Sequence, residues 1–258
     1  MTNSNERHRL SLIIATLGPS TDDEKELITM LMAGIARQWT DGVDIARVLH
    51  SDGEDIARNR IETFRSQSAK RNLSTKVYLD TDAENIDIEQ YVNFANSVEP
   101  NIATFPKSIG LDNFSKLKKN LNSEIKVSLR LRNSDSFEDL NEFYDHCSYV
   151  MMESSSQDIV DNKLVEAAKL KNVEPIYLAK MPTLMKGQVQ SREENFEIGH
   201  TLEEGFDIVA LYEETAQGPY PARSVKCIDE IAVESEKLRV NPFSDLLDKI
   251  LGFFGKKT

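Results

Sequence analysis

The chain has 258 residues and a net charge of −12, from 31 lysines and arginines against 43 aspartates and glutamates. This length suits one α/β barrel or two small domains, and a hydrophobic fraction of 40% is too high for a disordered chain. The acidic balance argues against nucleic acid as a partner, because such a chain repels phosphate unless a basic face is segregated.

Cysteine usage and hydropathy exclude two further classes of protein. Cys147 and Cys227 lie far apart and form no CxxC pair, so neither a zinc site nor a disulfide framework is expected. No apolar run approaches the ~20 residues that a transmembrane helix needs. We therefore expect a cytoplasmic protein without a transmembrane segment.

Eight short, mostly apolar runs alternate with stretches of helical period. Strands buried on both faces of a parallel sheet have this near-continuous apolar composition. The predicted strands are Leu12–Ala15, Val43–Val48, Lys76–Leu79, Ile102–Phe105, Ile125–Leu131, Tyr149–Met152, Pro175–Ala179 and Ile208–Leu211. Since eight βα units within about 250 residues favour a closed sheet, the pattern predicts a (β/α)8 TIM barrel over residues 1–240.

Helices are predicted between the strands. Ile56, Ile61 and Phe64 fall on one helical face, which should pack against the sheet. Three capping-box patterns predict where helices begin, and they run from Thr21 to Glu24, from Ser51 to Glu54 and from Ser191 to Glu194.

Residues 241–258 form an amphipathic tail, predicted to be an extra C-terminal helix. Its apolar face comprises Phe243, Leu246, Leu247, Ile250, Leu251 and Phe254. Three partners remain open for this face: the chain's own barrel, another subunit or protein, and a membrane surface.

Basic residues follow several strands, at the end of the barrel where active sites lie. Arg130 and Arg132 share strand parity, so both side chains should point the same way at the barrel mouth. With Arg47, Lys107 and Lys180 they predict a binding rim for a small phosphorylated or carboxylated metabolite. Guanidinium groups bind such anions bidentately and need no metal.

The residues also allow structural interpretations. Asp80, Glu213 or Glu214 could neutralise Arg130 and Arg132 in an internal ion network, and Lys107 and Lys180 could simply be solvated. Ser154 to Ser156 either donate hydrogen bonds to an anion or cap the following helix.

Separated stretches of the chain resemble pyruvate kinases. They run from Leu12 to Glu24, from Gly42 to Arg47 and from Gly205 to Pro221, and Asp80-Thr81 lies between them. The resemblance spans about residues 9 to 237 and implies the barrel alone, without the family's lid and C-terminal domains. It also implies that Arg47 binds a phosphoryl group.

The resemblance further implies a remnant of a potassium site. Ser51, Asp80 and Thr81 match three of the family's four ligands, but Leu49 stands at the fourth, an asparagine. We expect potassium to bind weakly at most, so that stability responds equally to Na⁺ and K⁺.

The resemblance also implies that the residues that bind and use magnesium in the family are replaced in this chain. Arg130 stands at the catalytic lysine, Arg132 at a magnesium-binding glutamate, and Ser156 at the second magnesium carboxylate. Lys180 stands at the threonine that assists proton transfer. An arginine in place of a ligand carboxylate installs a cation where the metal would bind, so no magnesium cofactor is expected.

The leading hypothesis is a degenerate pyruvate-kinase-like barrel that binds a small anionic metabolite in a regulatory or non-catalytic role. One alternative is an enzyme with residual pyruvate kinase or lyase-type enolate chemistry, for which Arg130 and Lys180 are the candidate catalytic residues. Another alternative is a scaffold or homo-oligomer that uses the C-terminal helix.

Overall fold

Eight parallel strands pair in chain order, and the first strand also pairs with the last, which closes a barrel. Strands β1 to β8 span Leu12–Thr16, Ile45–Leu49, Lys76–Asp80, Ile102–Pro106, Lys126–Leu131, Tyr149–Glu153, Glu174–Leu178 and Ile208–Leu211. This computed structural model describes residues 9–33, 42–81, 87–132, 134–135, 138–153 and 162–240. The predicted (β/α)8 TIM barrel is confirmed, and every predicted strand overlaps an observed one.

Helices follow the strands in the described ranges. Helices α1 to α9 span Glu24–Leu31, Glu54–Lys70, Ile88–Val98, Leu111–Asn120, Leu140–Tyr144, Asn162–Leu170, Arg192–Glu203, Glu213–Ala216 and Pro221–Val240. Short 3-10 turns precede α1, α2 and α4, at Pro19–Thr21, His50–Asp52 and Lys107–Ile109.

One of the three predicted capping boxes is confirmed. Ser191 Oγ accepts from the Glu194 N–H at 3.1 Å, and the Glu194 carboxylate accepts from the Ser191 N–H at 2.7 Å. The other two are wrong, because the 3-10 turns use those residues. Asp23 caps α1 in place of Thr21, and Gly53, with φ of 103°, precedes α2 in place of Ser51.

Two apolar layers are separated by the barrel wall. The outer layer joins the strands to the helices, and within it Ile61 and Phe64 are buried as predicted. Ile56 is 48% exposed, so its predicted place on that face is wrong, and Ala57 is buried instead. The inner layer fills the barrel and includes Ile14, Ile45, Tyr78, Ile102, Tyr149, Met151, Ile176 and Ile208.

Helix α9 binds the residues that directly precede β1, at the amino end of the barrel. Glu236 on α9 accepts from the N–H groups of Leu10 and Ser11 and from Ser11 Oγ, each at 2.7 Å. Arg9 adds an ion pair of 3.0 Å to Asp229, also on α9. Residues 225 positions apart in sequence therefore support each other.

The predicted apolar face of the tail lies outside the described residues, as do all of residues 241–258. Within the described ranges, no helix is both long and apolar enough to cross a membrane.

Candidate functional site

A buried ion network lies inside the barrel at the carboxyl ends of the strands. Asp80, the last residue of β3, accepts from Arg47 Nε at 2.6 Å and from Arg130 Nη1 at 3.3 Å, both on Oδ2. Asp80 and Arg47 are 0% exposed and Arg130 is 4% exposed. A single carboxylate oxygen thus bridges two guanidinium groups that reach it from β2 and β5.

Glu153, the last residue of β6, completes the network. Its Oε1 accepts from Arg130 Nε at 3.2 Å and from Arg130 Nη2 at 2.7 Å. We call Arg47, Asp80, Arg130 and Glu153 the mouth network; its two cations and two anions sum to zero charge. Burial lowers the pKa of Arg130, but the carboxylates of Asp80 and Glu153 outweigh it and hold this pKa above its ordinary value.

Arg47 also contacts residues of β1 and of the end of β8. Its Nη1 donates to Thr16 Oγ1 at 3.1 Å, and that hydroxyl donates to the Leu211 carbonyl at 2.6 Å. Its guanidinium lies 4.7 Å from the centroid of the Tyr212 ring, within the range of a cation–π contact. Arg47 therefore ties β1, β2, β3 and the end of β8 together.

The other predicted cations of the rim do not join the mouth network through any contact in the described residues. Lys107 places Nζ 5.6 Å from the centroid of the Phe143 ring, on α5. Lys180 is exposed to solvent after β7. Arg132 is half-buried, and its backbone N–H donates to the Asp135 carboxylate at 2.8 Å. Anion binding by the five residues stays a prediction.

The predicted internal neutralisation is confirmed for Arg130 and Asp80, but the second carboxylate differs from the expected ones. Glu213 is exposed, whereas Glu214 is buried and accepts from the backbone N–H groups of Met181 and Tyr212. Glu153 was not identified from the sequence, although strand parity predicts that its side chain points into the barrel. It follows the inward-facing Met151 by two residues, on the strand beside Arg130.

The residues of the predicted potassium site lie in unlike surroundings. Asp80 and Thr81 are fully buried, whereas Ser51 is exposed on the turn after β2. Asp80 Oδ1 and Thr81 Oγ1 have no hydrogen-bond partner within the described residues. The other Asp80 oxygen already holds two guanidinium groups, whose charge opposes a neighbouring cation. These residues fit potassium poorly, and weak binding stays a prediction.

The resemblance places magnesium ligands at positions 132 and 156. Arg132 lies in the described ranges, and a guanidinium cannot serve as a metal ligand there. Ser156, together with Ser154 and Ser155, lies outside the described residues. In the ranges that the structure covers, no group of three histidine, cysteine, aspartate or glutamate side chains is arranged to hold a metal ion.

Comparison with known proteins adds no family to these observations, since no family model and no curated protein matches the chain. The resemblance to pyruvate kinases therefore continues to rest on the quoted motifs.

The buried Glu214 carboxyl predicts a pH dependence of stability. Burial raises the pKa of Glu214 above the ordinary value of 4.5, despite the N–H groups that lower it. The folded state then holds this proton more tightly than the unfolded state, so its contribution to stability falls as pH rises from 4.5 through the folded pKa. Glu214→Gln should flatten that decline.

Urea denaturation between pH 4 and pH 8 measures this effect. The difference in free energy of unfolding between Glu214→Gln and the wild type should shift in favour of the variant as pH rises. This shift should exceed that of Glu213→Gln, the same substitution at the exposed neighbouring position. Parallel curves for both variants would show that Glu214 keeps an ordinary pKa.

Proposed function

We propose that the protein is a pyruvate-kinase-like barrel that binds a small phosphorylated or carboxylated metabolite at its mouth, without a metal and without phosphotransfer. The motifs from Leu12 to Glu24, from Gly42 to Arg47 and from Gly205 to Pro221 support the family. We further propose a regulatory role in the cytoplasm.

The observation that carries this proposal is the environment of Arg130. Its guanidinium is buried and fully charged at the end of the barrel where TIM-barrel ligands bind. Two of its donors, Nε and Nη2, face a carboxylate that solvent can reach. A planar fork of donors in such a place is suited to carboxylate or phosphate. Arg47 is less suited, because its donors face Asp80 and Thr16, which are fully buried.

The residues present argue for binding without catalysis. A catalytic lysine can give up a proton near neutral pH, whereas Arg130 stays protonated because its pKa lies above the ordinary value. Arg132 stands where the family has a carboxylate for magnesium, and a divalent cation would be repelled there. These arginines are suited to binding an anion, and they do not supply the proton transfer or the metal binding that phosphotransfer needs.

A scaffold is the second candidate function, and the filling of the barrel favours it. Apolar side chains fill the lower interior, and buried charged side chains lie above them at the mouth. In this case the mouth network stabilises the fold, and another surface makes contact with partners. The tail face from Phe243 to Phe254 is the proposed contact, either within a homo-oligomer or with another protein.

A calorimetric titration separates the two candidate functions. The wild type is titrated with phosphorylated and with carboxylated metabolites, in the presence and in the absence of EDTA. We expect saturable binding that EDTA does not change. Arg130→Met should weaken it by about 1.5–3 kcal/mol, the range for a hydrogen bond to a charged group. Arg130→Lys, which keeps the charge but loses the planar fork, should bind with intermediate affinity.

Lys116→Met is the control, since it removes an exposed cation of α4 that lies outside the predicted rim. It should bind as the wild type does. Equal affinity in Arg130→Met and the wild type would contradict the proposed site. A wild type that binds none of the anions would favour the scaffold.

A further inference from the structure

Glu153 differs from the other members of the mouth network in its access to solvent. Its side chain is 20% exposed, whereas Asp80 and Arg47 are 0% exposed and Arg130 is 4% exposed. Of the two carboxylates on Arg130, Glu153 is therefore the one that can leave.

The contact that Glu153 makes is not the best that Arg130 can offer. Both of its bonds, from Nε at 3.2 Å and Nη2 at 2.7 Å, end on the single oxygen Oε1. A carboxylate that meets a guanidinium fork freely makes two parallel bonds, one to each oxygen. A carboxylate without a tether could adopt that geometry on the same edge of Arg130.

Charge decides which anion can take this place. The mouth network is neutral with Glu153 in it, and a monoanion that replaced the Glu153 carboxylate would keep it neutral. A phosphate dianion would instead leave one negative charge unbalanced beside the fully buried Asp80, whose Oδ2 lies 3.3 Å from Nη1 of the same guanidinium. An unpaired buried charge is costly, so the dianion is disfavoured.

We propose that the Glu153 carboxylate occupies the ligand's own place on Arg130, and that the ligand is a small carboxylate monoanion that exchanges with it. This inference rests on the proposed function and narrows the ligand to one class of anion. Glu153 then sets the affinity, because the apparent dissociation constant rises as the fraction of molecules with a vacated Arg130 edge falls.

Rescue by acetate tests the exchange. Glu153→Ala should melt at a lower temperature than the wild type in sodium chloride, and sodium acetate at equal ionic strength should restore much of the loss. The apparent affinity for acetate should be at least about tenfold tighter in Glu153→Ala than in the wild type. Inorganic phosphate at pH 8 should restore less. If Glu153→Ala does not fold, the same measurement is made on Glu153→Gln, which keeps the shape of the side chain but removes its charge.

Two further variants locate the effect. Glu213→Ala removes an exposed carboxylate at the same end of the barrel, and acetate should affect it no more than the wild type. In the double variant Glu153→Ala/Arg130→Met, acetate should no longer raise the melting temperature, because the edge that binds it is gone.

The outcomes separate this inference from the proposed function. If the wild type binds an anion as tightly as Glu153→Ala and Glu153→Gln do, Glu153 is not a competitor and only the inference fails. Better rescue by phosphate than by acetate would overturn the choice of anion in the same way. If neither the wild type nor any variant responds to an anion, the proposed function fails as well.

Discussion

Asp80→Asn is expected to lower the free energy of unfolding by about 3–5 kcal/mol, the usual cost of removing one partner from a buried ion pair. Asp80 is fully buried, and its Oδ2 holds both Arg47 and Arg130. Asparagine is nearly the same size, so the loss would report the removed charge and not a cavity. The midpoint of urea denaturation at pH 7, with an unchanged slope, measures this effect.

A double-variant cycle shows whether the loss comes from the network. Arg130→Met on the Asp80→Asn background removes one of the two cations that Asp80 balances. The double variant should therefore lose less stability than the two single variants lose in sum. Glu213→Gln removes an exposed carboxylate at the same end and should change stability by less than about 0.5 kcal/mol. Additive losses in the cycle would contradict the bridging role of Asp80.

Glu236→Ala is the second substitution with a large expected effect, a loss of about 3 kcal/mol. The carboxylate accepts two backbone N–H groups and the Ser11 hydroxyl, and both Glu236 and Ser11 are 4% exposed. Hydrogen bonds to a charged group contribute about 1.5–3 kcal/mol each, and donors that stay buried without a partner add to the cost. Thermal and urea denaturation would both record the loss.

The same substitution at an exposed glutamate provides the control. Glu203→Ala, near the end of α7, should change stability by less than about 0.5 kcal/mol. Glu236→Gln keeps one acceptor oxygen, so its loss should fall between those of Glu236→Ala and the wild type. If Glu236→Ala were as stable as Glu203→Ala, α9 would not hold β1 through this carboxylate.

The strands were predictable because parallel barrel strands are buried on both faces. Val77 and Tyr78 are adjacent in β3, yet one packs under the helices and the other fills the barrel, so both had to be apolar. Helix starts were less predictable. The 3-10 turns at Thr21 and Ser51 use the residues that would have capped α1 and α2, and nothing local in the sequence distinguishes the two outcomes.

Three of the four members of the mouth network were predictable from the sequence, and their pairing was less so. Strand parity points Arg47, Asp80 and Arg130 into the barrel, and all three lie there. Which carboxylate meets which guanidinium depends on the register between neighbouring strands, which a single sequence does not contain. Glu153 meets Arg130 because Met151 is the register partner of Arg130 on β6, two residues before Glu153.

The tie between Glu236 and β1 has a consequence for how the chain folds during synthesis. Ser11 leaves the ribosome 225 residues before its partner Glu236, so the chain at the start of β1 cannot complete its hydrogen bonds until that stretch has emerged. Contacts of such separation close late, because chain entropy opposes them until the intervening elements have formed. A circular permutant that begins at the exposed turn between α6 and β7 and runs from α9 into β1 would bring the two residues close in sequence. We expect it to fold faster than the natural order.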